Sequence, residues 1–195
     1  MMKYKLVWIC CVLAFAKAEF TKAQSEQKLE QEEKIAAALF PENAAKTVNE
    51  IGYARKKVTY YRETDGDKIS YEAKLKYQDR KYSIEFDLNG VLEDVEIDSR
   101  KRKIPVNVRA KINKILDTVA RKYRIEKVQE QYVAGDQSAT QIKERIALKD
   151  FDNFEIVVAF KDKRKIYRKE YLFDKNGNII SQRDVKRLEY DFLLF

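Results

Sequence analysis

Two of the five glycines in this 195-residue chain close nearly the same pentapeptide, FDLNG at 86–90 and FDKNG at 173–177. Asn-Gly supplies the positive-φ residues that a tight hairpin needs, so each copy marks a strand, a reversal and a second strand. The pattern around the first copy agrees. In YSIEF, Tyr82, Ile84 and Phe86 form the apolar set. A two-residue turn pairs Leu88 with Val91, and therefore Phe86 with Glu93, Ile84 with Val95 and Tyr82 with Ile97. Apolar meets apolar in two of those three pairs, so turn and pattern specify one register. In the preceding YEAKLKY, Tyr71, Ala73, Leu75 and Tyr77 point one way and Glu72, Lys74 and Lys76 the other.

The second copy has similar surroundings. FEIVVAF (154–160) matches YEAKLKY, KIYRKEYLFDKNG matches the strand and turn, and NIISQRDV the last strand. A helical segment precedes each set. After Pro105, the residues Val108, Ile112, Ile115, Leu116, Val119 and Tyr123 fall on one face of a 3.6-residue period. Pro at a first helical position costs nothing, because that N–H has no partner anyway. Earlier, Phe40, Ala44, Val48 and Ile51 repeat the period, with Pro41 placed to kink or restart the helix. The predicted fold is α+β, in two tandem units, each a helix packed on about four antiparallel strands. Their bounds are 35–98 and 104–186. Residues 135–152 read as an unassigned insertion in the second unit, and 187–195 as an apolar tail that something must cover.

The N-terminus addresses the chain for export. MMKYK is basic, Leu6–Ala16 is an uncharged apolar run, and a polar stretch with small residues follows, the layout of a secretory signal peptide. Thr21 and Ala23 suit a cut before Gln24, and Ala16 and Ala18 an earlier one. The apolar run is short of the roughly 20 residues of a spanning helix. Residues 1–23 then read as the signal and 24–34 as a polar leader. The expected location is periplasmic or secreted, with no stable membrane span after cleavage.

Cleavage also removes both cysteines, and the chain has no histidine. Disulfide scaffolds, the usual zinc, haem and copper ligand sets, and Ser-His-Asp or Cys-His catalysis are excluded. The whole chain has 40 basic and 32 acidic residues; four and one of them lie in 1–23, leaving an excess of five positive charges. These are interspersed, which favours solubility over nucleic-acid binding. The pentapeptides do not make calcium loops. An EF-hand loop needs Gly at position 6 and Glu at 12; counted from Asp174, Gly177 is at 4 and Val185 at 12. Asp94, Glu96 and Asp98 alternate on one strand face with Glu85 across the hairpin. Facing away from the apolar set, they are expected to be solvated and ionised. RKRK (100–103) reads as a solvated loop, and Tyr71, Tyr82 and Phe86 as core. No catalytic residue, metal or cofactor is expected.

With these segments in place, YEAKLKYQDRKYSIEFDLNGVLEDVEI, then IPVNVRAKINKIL, then a second round ending YLFDKNGNII, the chain resembles the PepSY-like, β-lactamase-inhibitor-like family of exported Bacteroidetes-type proteins. The resemblance spans about residues 35–185 and rests on structural motifs. It departs from the family where VTYYRE stands in place of a Trp-bearing strand, and in the long insertion. The resemblance implies an antiparallel sheet with helices on one face and an open face that grips a partner protein. Here that face would carry Tyr61, Glu72, Lys74, Lys76, Glu85, Asp94 and Glu96. The expected function is a non-enzymatic exported binding module, an inhibitor or modulator of an envelope protein. The alternative is a small-molecule or lipid carrier using a cleft between the two units.

Overall fold

A computed structural model describes residues 27–28, 31–52 and 57–185. The expected signal, part of the leader and the 187–195 tail lie outside these residues. The elements run β1 (Gln27–Lys28), β2 (Gln31–Ile35), α1 (Glu42–Ile51), β3 (Val58–Asp65), β4 (Lys68–Tyr77), β5 (Arg80–Phe86) and β6 (Leu92–Asp98). Then come α2 (Val106–Val119), β7 (Tyr123–Val133), α3 (Ala139–Leu148), β8 (Asn153–Asp162), β9 (Lys165–Asp174) and β10 (Ile179–Val185). Among the described residues no helix is long and apolar enough to cross a membrane.

All strands join one sheet, in the order β1-β10-β9-β8-β7-β6-β5-β4-β3-β2, antiparallel throughout except for β1 on β10. This overturns the expectation of two tandem helix-plus-four-strand units. The sheet runs straight through the predicted boundary, because β6 pairs with β7, Asp94 to Val133 through Asp98 to Gln129. The segment read as an insertion in the second unit contains α3, whose Ala139 and Ile142 are buried in the core under α1. A Ser138–Gln141 capping box starts that helix: Gln141 Oε1 accepts from the Ser138 N–H at 2.8 Å, and the Ser138 hydroxyl accepts from the Gln141 N–H.

The apolar alternation has one destination. Ala73, Ile84, Val95 and Tyr132 form a row of cross-strand partners and bury against Ala44, Val48 and Ile51 of α1. Phe154, Ile156, Val158, Phe160, Tyr171 and Phe173 bury against Val108, Ile112 and Leu116 of α2. All three helices therefore pack on one face. Pro41 precedes α1 as Pro105 precedes α2, so Pro41 restarts the chain as a helix after the strand β2.

The two pentapeptides are the same loop. The Asp87 N–H donates to the Val91 carbonyl and the Gly90 N–H to the Asp87 carbonyl, each at 2.9 Å, and Asp87 Oδ1 accepts from the N–H groups of Asn89 and Val91. Asp174 does likewise with Asn176 and Asn178. The turn is one residue longer than the Asn-Gly rule predicts. The expected pairs Ile84–Val95 and Tyr82–Ile97 form, but a bulge at Glu85/Phe86 places Phe86 opposite Leu92 instead of Glu93. The aspartate carboxylates are spent on backbone N–H groups, so the repeat is architecture.

The sheet does not lie flat. β10 and β3 stand seven places apart in the strand order, about 34 Å at the usual spacing of neighbouring strands. Yet Arg183 of β10 reaches within 3.9 Å of Asp65 of β3. Lys28 of β1 and Gln31 of β2, the two ends of the order, are three residues apart in the chain, at most about 11 Å. The sheet is rolled until its ends adjoin. Arg183 also pairs with Glu170, and Asp65 shares its strand face with Glu63 and Tyr61. The rolled-in side is therefore the one without helices.

Candidate functional site

The concave face is built from cross-strand rows. Tyr61, Glu72, Glu85 and Asp94 are successive partners across β3, β4, β5 and β6. The next row is Lys74, Ser83, Glu96, Gln131 and Asn153, which carries it into β7 and β8. Six of the seven residues expected on the partner-binding face thus come together. Lys76 lies at the rim, two-thirds exposed and paired with Asp79 at 3.2 Å.

The expected environment of these residues is corrected. Glu96 retains 4% of its surface, Glu72 3% and Glu63 6%, all buried. Rolling the sheet makes the side chains of its inner face converge, so charges that a flat sheet would leave in water cover one another. Residues from the second half complete the face: Gln129, Gln131, Glu155 and Glu170 were not anticipated. Their signal was present in FEIVVAF, where Glu155 alternates with Phe154 and Ile156, but without β6–β7 pairing nothing connects Glu155 to Glu96.

Two carboxylate groups occupy this face, and they are resolved differently. In the first, carboxylate oxygens of Glu32, Glu63 and Glu72 lie within 4.8 Å of one another. Lys74 Nζ stands among them, 2.7 Å from Glu32 and 2.8 Å from Glu72, and 4.9 Å from the centroid of the Tyr61 ring. The Ser83 hydroxyl donates to Glu72 Oε1. Burial pushes the Glu72 carboxyl up, but Lys74 and the hydrogen bonds more than offset it and hold it below the ordinary range.

In the second group, oxygens of Glu85, Asp94 and Glu96 lie within 4.8 Å of one another. Asn153 donates to Gln131 at 2.9 Å, and Gln131 donates to Asp94 Oδ2 at 2.9 Å, which fixes that carboxylate. Asp94 Oδ1 is shielded from solvent with no hydrogen-bond partner. No basic side chain forms an ion pair with Asp94 or Glu96 among the described residues. Burial, then the charge of Glu155, then Glu93 push Asp94 up to about 7, against Gln131 and Lys68. Burial, Glu155, Glu85 and Asp94 raise Glu96 well above its ordinary value, with Lys127 opposing.

A pH dependence follows. A carboxylate raised in the folded state stabilises the fold when protonated; that stability is complete below the unfolded value near 4 and is lost as pH rises through 7. Glu72 and Asp174, held low, act oppositely and lose their contribution as pH falls below about 4. Thermal melts in EDTA are expected to show greatest stability on the acid side of neutrality. Asp94→Asn should melt above the parent protein at pH 7.5 and converge with it near pH 4. A variant melting below the parent at pH 7.5 would refute this.

No protein-family model matches the chain, and no curated protein matches it. Solved structures do. A DUF2874 family protein from Bacteroides ovatus is 14% identical, with a TM-score of 0.52 over 78% of this chain and 92% of that one. A BLIP-like protein from Bacteroides fragilis is 14% identical, with a TM-score of 0.48 over 77% and 90%. A DUF2874 family protein from Bacteroides uniformis is 12% identical, with a TM-score of 0.49 over 74% and 88%. The fold is that of the first.

Proposed function

We propose that the chain is an exported, non-enzymatic binding module that holds a positively charged segment of a partner protein against its concave sheet face. The observation that carries this reading is the buried belt of Glu63, Glu72, Glu96, Gln129, Glu155 and Glu170 on a face that no described helix covers. Burying carboxylates is costly without compensation, and two compact carboxylate groups on one concave surface select cations over neutral or anionic partners. Export rests on the basic-apolar-polar order of residues 1–23, and the PepSY-like affiliation on the hairpin and helix motifs around residues 71–97 and 105–116. The non-enzymatic reading rests on the lack of histidine and of cysteine beyond residue 11. A lipid carrier is disfavoured, because the concave face is lined by polar side chains and, among the described residues, β6 pairs directly with β7 across the expected boundary between units.

The test is site-specific photo-crosslinking in an envelope extract containing EDTA, using residues 24–195 with the probe at Tyr61, at Lys76 or at Lys114. Tyr61 and Lys76 sit on or at the rim of the concave face, and Lys114 lies exposed on α2. The expected result is one adduct of defined mass from Tyr61 and Lys76, absent from Lys114. Identical adducts from all three positions, or none from any, would refute the reading.

A further inference from the structure

We propose that the tip of the β8–β9 hairpin, Lys161 to Ile166, docks the protein on an anionic lipid surface. The tetrapeptide Lys-Arg-Lys-Ile occurs twice, at 101–104 and at 163–166, and the fold uses the two copies differently. In the first, Ile104 is 1% exposed and belongs to the core under α2, so the isoleucine anchors its turn. In the second, Ile166 is 62% exposed on the strand that leaves the turn. One copy hides its apolar side chain, and the other presents it beside three basic ones.

The tip is a braced, charged projection. Lys161 pairs with Ile166 and Asp162 with Lys165, leaving Lys163 and Arg164 as the turn. These two pairs extend past the described ends of both neighbouring strands: β7 begins at Tyr123, opposite Phe160, and β10 ends at Val185, opposite Arg168. The Lys161 N–H donates to the Lys122 carbonyl at 2.9 Å, and the Tyr167 ring stacks on Phe160 at 5.5 Å, which fixes the base. Lys163 has a φ of +50°, where a tight hairpin favours Gly or Asn, so a charge is kept against conformational preference. Lys161, Lys163, Arg164 and Lys165 are all exposed, and no acidic side chain among the described residues forms an ion pair with any of them.

The chemistry selects the class of partner. Long Lys and Arg stems let their charges stay among anionic headgroups while an apolar neighbour enters the acyl boundary. Each basic side chain near such a surface strengthens partitioning by about fivefold. Ile166 supplies the apolar contribution that attachment by charge alone lacks. A single-stranded nucleic acid would call for an exposed aromatic platform, whereas the ring of Tyr167 is stacked on Phe160. A soluble polyanion would pair with the charges and leave Ile166 in water.

The experiment is co-sedimentation of residues 24–195 with vesicles of phosphatidylcholine, alone or with about 30% phosphatidylglycerol, in about 0.1 M and about 0.5 M sodium chloride. Binding is expected only with the anionic vesicles at low salt. Lys163→Gln, Arg164→Gln and Lys165→Gln together should weaken it by about 100-fold. The same three changes at Lys101, Arg102 and Lys103 alter net charge equally and should leave it within about threefold. Ile166→Ser should weaken it by about fivefold at unchanged charge, with every variant melting within about 2 °C of the parent. The single tryptophan of the chain is Trp8, so Ile166→Trp gives residues 24–195 one reporter at the tip. Its emission should shift to the blue on anionic vesicles and not on dextran sulfate. No binding to anionic vesicles, equal losses from the two triple variants, or no blue shift would overturn the proposal. Capture by dextran sulfate alone would overturn it in favour of a soluble polyanion.

Discussion

Gly90→Ala is expected to destabilise the protein by about 3–4 kcal/mol, whereas Gly66→Ala costs about 1 kcal/mol. Both glycines are left-handed, at φ of +73° and +60°, so both substitutions carry the conformational cost of placing Cβ there. Only Gly90 adds a collision. A Cβ at that position would stand 2.8 Å from Pro41 Cβ and overlap the Asn43 amide, at the start of α1. Asn43 is itself tied down, donating from Nδ2 to the carbonyls of Asn89 and Gly90 at 2.7 and 3.0 Å. Around Gly66 nothing lies within 4 Å. Gly177→Ala should fall between the two, since its Cβ would sit 3.1 Å from the Val108 carbonyl oxygen, which belongs to the α2 backbone. Thermal melts should rank the variants in that order, with Gly90→Ala about 6–15 °C below the parent. Equal losses for Gly66→Ala and Gly90→Ala would show that the hairpin does not seat the helix.

The second large effect is expected at Lys74. Burial works against its charge, but Glu72 and Glu32 more than offset that and raise its pKa above the ordinary lysine range. Lys74→Met leaves Glu72, 3% exposed, and Glu32 without their cation, beside Glu63. Breaking such a pair from one side costs about 3–5 kcal/mol when fully buried. The Lys74 side chain keeps about a third of its exposure, which reduces the expectation to about 2–3 kcal/mol. Lys76→Met, on an exposed residue of the same strand, should change stability by less than about 0.5 kcal/mol. Adding Glu72→Gln to Lys74→Met should restore part of the loss, and a denaturant double-mutant cycle measures how much. A single-variant loss no larger than that of Lys76→Met would mean that Lys74 serves a partner and not the sheet.

The sequence disclosed the local alternation well and the global arrangement poorly. Period-two patterns placed Ile84 against Val95 and Tyr82 against Ile97, because each pair is fixed by a short loop and a buried face. The bulge at Glu85/Phe86 escaped, since Asp87 could be recognised as a loop aspartate but not as one capturing two N–H groups. β2, with sequence QEEKI, carries no strand signature and exists because β3 offers an unpaired edge. Alternation also put Glu72, Glu85, Asp94 and Glu96 on one face, yet said nothing of curvature. Curvature decides whether those carboxylates meet water or one another. The helical signal of α3 was a readable capping box, but the core it enters belongs to the other half of the chain.

The seam of the rolled sheet has a consequence for the order in which the chain can fold. Gln27 and Lys28 pair with Asp184 and Val185, so the first and last described residues must be present together before the roll can close. A chain emerging from its N-terminus can complete the local hairpins early. It must then hold its first strand unpartnered until the final strand arrives, and a contact of such long sequence separation forms slowly. Until the seam closes, the concave face and its carboxylate rows remain open along that edge.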